Sequence, residues 1–295
     1  MSWLEFVIEC ESEAIESIES ILLTSGAQAI TLLDAGDQPL LEPLPGEMPL
    51  WSLVRIKALF ARDIDQGHVE SSLHEQKAGY YGYWQVLQEQ EWSRVWLERF
   101  KPTRYGQRLW IIPSESQPPS STAVNIFLDP GLAFGTGDHA TTNLCLCWLD
   151  GTSLQGRRVL DFGHGSGILA IAAKKLGATY VMGVDIDPQA VIAGRQNAKN
   201  NELNSNIEFS DHTQQQDFDV VIANILAGPL RNMAENLSTS LRPGGKIALS
   251  GILEGQITEV QQAYSPWIMW ETMQKLEGWV LIAGRRREAQ MEQSR

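Results

Sequence analysis

Residues 159–167, Val-Leu-Asp-Phe-Gly-His-Gly-Ser-Gly, constrain this chain more than any other stretch. An apolar run of strand type enters three alternating glycines and leaves into the helical pattern of Ile168–Leu176. Glycines at such a turn let the backbone bend tightly and let a ligand approach without Cβ interference. The start of the helix supplies free N–H groups. Taken alone, the cluster fits an ordinary structural turn as well. Its surroundings narrow the choice: short apolar strands at Arg158–Phe162, Tyr180–Val184, Phe218–Ala223 and Lys246–Ser250 alternate with helical patterns at Ile168–Leu176 and Pro188–Asn200. Continuous apolar runs such as residues 219–223 belong to parallel sheets buried on both faces. The expectation is a doubly wound α/β domain with its ligand at the carboxyl ends of the strands.

The next strand decides between ligands. It ends in Asp185, 22 positions after Gly163, where a nucleoside-binding α/β fold places an acid to accept from ribose hydroxyls. Asp187-Pro188 reads as a helix cap and first-turn proline. A nicotinamide dinucleotide wants Gly-x-Gly-x-x-Gly, which Gly163, Gly165 and Gly167 do not make, and Asp161 stands just before the turn. S-adenosyl-L-methionine has no pyrophosphate and presents an amino-acid head and a sulfonium, so acids beside the loop suit it. A methyl donor is the better fit.

Two further segments complete the site. Asp129–Thr142, with three glycines around Phe134, reads as a lid able to close over a ligand and exclude water. The strand from Asp217 ends in Asn224, whose amide can accept from a substrate amine and orient its lone pair. His139 with Cys145 and Cys147 invites a metal reading, but the spacing matches no standard zinc pattern and a fourth ligand is not evident, so no metal is expected. His139 is left as a base or as a lid or structural residue.

Upstream, Trp3–Cys10 alternates like a half-buried strand, Ile15, Ile18 and Leu22 recur at helical spacing before Gly26, and Ala29–Leu33 is a strand. A Pro/Gly-rich loop, a strand near 50–60, a helix around 64–77 and a strand around 83–88 follow. The order β-α-β-β-α-β predicts a ferredoxin-like α+β unit over 1–90. A linker helix and connector take 91–122, and the α/β domain takes 123–295. The chain has 23 Lys and Arg against 36 Asp and Glu, a net charge of −13, which disfavours a phosphate backbone and favours a basic partner. Acids at positions 9, 11, 13, 16 and 19 form a solvated face or a docking face for such a partner. Three cysteines make no disulfide framework, and the N-terminal segment has no secretory pattern, so a reducing, cytoplasmic setting is expected. No apolar run reaches membrane-span length.

DPGLAFGTG at 129–137, the glycine turn continuing as GILAIAA, DIDPQA at 185–190 and NILAGPL at 224–230 occur in that order. With MSWLEF at the start, EPLPGE at 42–47 and RLWIIPS at 108–114, the chain resembles the PrmA family of bacterial ribosomal protein methyltransferases over essentially its whole length. The resemblance implies a small ferredoxin-like substrate-recognition domain, a linker helix and a class I, Rossmann-like methyltransferase domain. It implies an enzyme that transfers methyl groups from S-adenosyl-L-methionine to the N-terminal α-amine and lysines of large-subunit ribosomal protein eleven, free or ribosome-bound. It also implies donor contacts at Thr142, Gly163, Asp185 and Asn224, with Phe134 and Gly135 close by. Asp161 and Gly165 join them from the turn itself, and a monomer without sequence-specific nucleic-acid binding is expected. The chain departs from relatives at His164, where Cys is commoner, and at Asp138 and Ala140 beside His139. The His164 side chain either points away from the donor or crowds it. Alternatives are another protein, a glutamine amide or a nucleobase as acceptor, or an inactive donor-binding scaffold. Enzymes acting on planar amides often follow the Asn with two prolines and an aromatic, and here Ile225, Leu226 and Ala227 stand in those places.

Overall fold

The structure is a computed structural model that describes residues 3–36, 50–75, 82–87, 101–120, 122–129, 139–213 and 216–288. The chain divides into two compact units, Met1–Val95 and Trp96–Arg295. The lid residues 130–138, Phe134 and Gly135 among them, and the helical pattern at 91–100 lie outside the described residues.

In the first unit the strands β1 (Trp3–Glu11), β2 (Ala29–Asp34), β3 (Leu53–Ala61) and β4 (Gly82–Leu87) form one antiparallel sheet in the order β2-β3-β1-β4. Helices α1 (Ile15–Thr24) and α2 (Gln66–Glu75) sit in the β-α-β-β-α-β order of the sequence pattern. Alternation in β1 puts Leu4, Phe6, Ile8 and Cys10 into a core with Ile15, Ile18 and Leu22 of α1. Gly26, at φ 101°, ends α1 in the left-handed conformation that a Cβ disfavours.

The second unit is built on a seven-stranded sheet. In chain order its strands are β8 (Arg158–Phe162), β9 (Tyr180–Val184), β10 (Ile207–Ser210), β11 (Phe218–Asn224), β12 (Leu241–Leu253), β13 (Ile268–Leu276) and β14 (Trp279–Arg286). Their spatial order is β10-β9-β8-β11-β12-β14-β13. The first five run parallel, whereas β14 is antiparallel to both of its neighbours. This antiparallel pair departs from an all-parallel pattern, and its turn explains it: Glu277 and Gly278 both take positive φ, 52° and 80°, as tight hairpin turns require.

Helices cover both faces. On one lie α3 (Ala140–Asp150), α4 (Ile168–Lys175) and α5 (Pro188–Asn200); on the other lie α6 (Ala227–Asn232), α7 (Ala234–Ser240) and α8 (Ile257–Tyr264). Val159 and Leu160 of β8 enter opposite cores, which is why the strand reads as a continuous apolar run. Strands β5 (Thr103–Tyr105), β6 (Leu109–Ile112) and β7 (Val124–Phe127) make a separate small sheet. Two side chains tie it down. Asp150, at the end of α3, accepts from the backbone N–H of Gln107 and from Arg108 Nε, at 2.6 and 2.9 Å. Asn201, after α5, accepts from Phe127 N–H and donates to its carbonyl, at 2.9 and 2.7 Å. Among the described residues no helix is long and apolar enough to cross a membrane.

The chain leaves β8 for β9 and β10 on one side, and leaves β11 for β12 on the other. The gap between β8 and β11 is therefore the topological switch point, where open α/β sheets leave a crevice at the carboxyl ends of their strands.

Candidate active site

A cleft of about 860 Å³ opens at that switch point. Phe162, Gly163 and Gly165 line it after β8, Asp185 and Ile186 after β9, and Asn224, Ile225 and Leu226 after β11. His139 and Thr141 reach it from the start of α3, and Trp279 from the start of β14. Gly163, Gly165, Asp185 and Asn224 thus meet in one cleft although they are spread over 62 residues of sequence.

The turn after β8 has φ of 73°, 51° and 79° at Gly163, Gly165 and Gly167, all in the region that costs an L side chain about 1–2 kcal/mol. A Cβ built on Gly163 also overlaps the Ile225 side chain. Gly163→Ala is expected to lower stability by about 1–2 kcal/mol, a fall of roughly 2–8 °C in Tm for a unit of this size. It should also press Ile225 into the cleft and weaken ligand binding. Thermal denaturation beside donor titration checks this, and a variant with wild-type Tm and affinity would show that the turn tolerates a side chain.

Asp185 is held before any ligand arrives. Its Oδ2 accepts from Gly165 N–H at 2.9 Å and its Oδ1 from Asp187 N–H at 3.0 Å. Asp187 caps α5 by accepting from Gln189 N–H at 2.8 Å, with Pro188 at the helix start, so its role is structural. Ile186, 88% exposed, offers an apolar side chain beside Asp185.

Asp161 and Thr142 lie behind the cleft wall. Asp161 is wholly buried; Oδ2 accepts from Ala170 N–H at 2.9 Å and Oδ1 has no partner among the described residues. Burial pushes its pKa up to about 7, a rise that the Ala170 N–H opposes and the nearby Asp185 charge reinforces. Thr142 is buried at the start of α3, and its hydroxyl accepts from Asn224 Nδ2 at 3.4 Å, which fixes one edge of that amide.

His139 caps α3: Nδ1 accepts from Thr141 N–H at 3.3 Å and lies 2.8 Å from the Thr141 hydroxyl. Its ring meets Trp279 edge-on at 5.0 Å. Cys145 is buried in the core and Cys147 Sγ donates to Asn143 Oδ1. The His164 ring is absent from the cleft lining and packs behind the turn against Phe209, which removes steric crowding of the donor as a ground for inactivity.

Sequence patterning did not reach Trp279, whose strand and hairpin turn it had not identified. Nor did it reach Ile225 as the residue that packs against Gly163. The Glu-Gly pair ahead of Trp279 was the available signal.

The buried, half-satisfied Asp161, the open Gly163 cradle and the pre-held Asp185 suit a nucleoside that carries a cationic amino-acid head. The family model described as ribosomal protein L11 methyltransferase (PrmA) matches residues 2–287. The chain belongs to the PrmA family. It is a methyltransferase of class I architecture. The ribosomal protein L11 methyltransferase of Nitrosococcus oceani is 45% identical, covering 97% of this chain and 100% of the relative. That of Pseudomonas paraeruginosa is 47% identical, covering 97% and 99%. A crystal structure of ribosomal protein L11 methylase from Lactobacillus delbrueckii subsp. bulgaricus superposes with a TM-score of 0.60 at 32% identity, over 64% of this chain and all of that one.

Proposed function

We propose that this PrmA-family chain is a cytoplasmic, S-adenosyl-L-methionine-dependent N-methyltransferase of ribosomal protein L11, acting on its N-terminal α-amine and on lysines. The observation that carries the reading is the meeting of Gly163, Asp185 and Asn224 in a single cleft: a nucleoside cradle facing a fixed side-chain amide. Gly163, Gly165 and Asp185 hold the nucleoside, and the charge of Asp161, buried just behind the glycine turn, attracts the ammonium of the amino-acid head. When bound, the donor supplies an electrophilic methyl group on a sulfonium.

The protein's own task is to present a neutral amine. A free lysine has a pKa of about 10.4 and an α-amine about 7.7–8.0, so neutralising them at pH 7 costs about 4.6 and 1 kcal/mol. The apolar side chains of Ile225, Leu226 and Met233 along the cleft disfavour the charged form of an amine placed against them, so no strong base is required. With Nδ2 committed to Thr142, Asn224 Oδ1 is the atom left to accept from the amine and aim its lone pair. An aliphatic Ile225-Leu226 pair in place of a stacking ring favours a flexible alkyl amine over a planar amide or base.

The net charge of −13 suits a basic ribosomal protein, and the ferredoxin-like unit, joined through a connector, is the part assigned to recognising it. Incubating the purified chain with L11 and S-adenosyl-L-methionine, then mapping peptides by mass spectrometry, tests this. Methyl increments at the N-terminus and lysines are expected. Donor binding without any increment on L11 would send the search to another protein.

A further inference from the structure

We infer that His164 is a positioning residue for the nucleoside end of the donor site, keeping Asp185 in its binding orientation only while the imidazole is neutral. This rests on the donor assignment above and adds a residue that faces away from the cleft.

The ring fills a slot between β9, α5 and β10. A Cβ built on Gly183 would come within 3.1 Å of the imidazole, and one on Gly194 within 3.0 Å; both would press still closer on Phe209. The two glycines therefore make the room that the two rings occupy, with centroids 4.8 Å apart at 65°. His164 Nδ1 lies 3.0 Å from Gly165 O. A carbonyl only accepts, so Nδ1 carries the hydrogen and Nε2 is left as a bare lone pair, buried and without a partner among the described residues. The same Gly165 donates its N–H to Asp185 Oδ2. A single residue thus links the buried ring to the carboxylate that faces the nucleoside.

Protonation would put a charge and a new N–H where nothing accepts it. Burial accordingly lowers the ring's proton affinity, although the Asp185 charge and the Gly165 carbonyl pull the other way. The charged groups around the slot give no better outlet. Arg195, next to Gly194 on α5, is bonded through its guanidinium to Phe209 O and repels a second cation. Glu208 on β10 and Asp187 at the start of α5 are exposed to solvent. A charged ring gains most by leaving the slot, which takes Gly165 N–H away from Asp185. By linkage, a bound nucleoside holds the ring neutral.

The test uses the full chain and 5′-methylthioadenosine, a nucleoside with no amino-acid head and so no reach to Asp161. Calorimetry between about pH 4.5 and 8 compares the wild type with His164→Asn, whose amide can donate to Gly165 O but cannot titrate. As pH falls below the point where the ring takes up a proton, wild-type Kd should rise by up to about tenfold per unit, while the variant stays within about twofold of its pH 8 value. Parallel profiles in the two proteins would overturn the inference. Independently of any variant, histidine ring NMR of the wild type should show the Nδ1–H form and a pKa that drops when the nucleoside binds; an unchanged ring pKa overturns it too. A nucleoside that fails to bind at every pH would overturn the donor assignment itself and this inference with it.

Discussion

Asn224→Ala is expected to cut turnover about a hundredfold while donor affinity changes only a few-fold. Asn224 ends β11 inside the cleft, and its amide is fixed on one side by the Thr142 hydroxyl. The three residues that directly follow it, Ile225, Leu226 and Ala227, are aliphatic and offer an amine no side-chain acceptor. Losing that acceptor leaves the amine free to rotate, and misplacing a reacting group by about 1 Å costs on the order of a hundredfold. The donor keeps its Gly163 and Asp185 contacts on the other side of the switch point, so the loss should fall on kcat. Asn224→Asp separates geometry from charge: it keeps an acceptor but attracts a proton to the amine, so activity should move to higher pH. Steady-state kinetics on L11 and donor calorimetry together give the answer. Full turnover with an unchanged ratio of α-amine to lysine methylation would remove Asn224 from the mechanism.

The elements that carry this site were legible because they are the most constrained ones. Strands β8, β9 and β11 are buried on both faces, so almost every residue is apolar and the strand ends stand out at Asp161, Asp185 and Asn224. The glycine turn announces itself because three positions need positive φ. Elements further out were harder to read. Strand β10 has four residues, and β13 is largely exposed, so neither produces a continuous apolar run. Strands β5 and β6 sit in a stretch whose connector-like composition hides their pairing, and their anchor, Asp150, is more than 40 residues away in sequence. The direction of the His164 side chain was undetermined for the same reason. Gly183, Gly194 and Phe209 decide it, and only the folded sheet brings them together.

Asp161 should make donor binding depend on pH with a definite sign. Its carboxyl keeps its proton in the folded chain up to about pH 7, whereas the unfolded chain releases it near 3.8. Between those values the folded state binds more protons, so this group's contribution to stability is present below about pH 4 and is lost as pH rises to about 7, a change on the order of a few kcal/mol. Asp161→Asn should therefore raise Tm at pH 8 and have little effect near pH 4. The same substitution should weaken S-adenosyl-L-methionine by about tenfold, since it removes a charge that attracts the ammonium of the amino-acid head from behind the turn, an attraction on the order of 1–2 kcal/mol at an effective dielectric near 20. A variant that is more stable yet binds more weakly is hard to obtain by generic damage to the fold. The ammonium of that head also stabilises the ionised form of Asp161, so at about pH 6.5 binding should release up to about three-quarters of a proton in the wild type and less in Asp161→Asn. Calorimetry in buffers of different ionisation enthalpy counts that proton. Equal proton release and equal affinity in the two proteins would mean that the unpaired Oδ1 does not serve the amino-acid head, and that the donor is held by the Gly163 and Asp185 end alone.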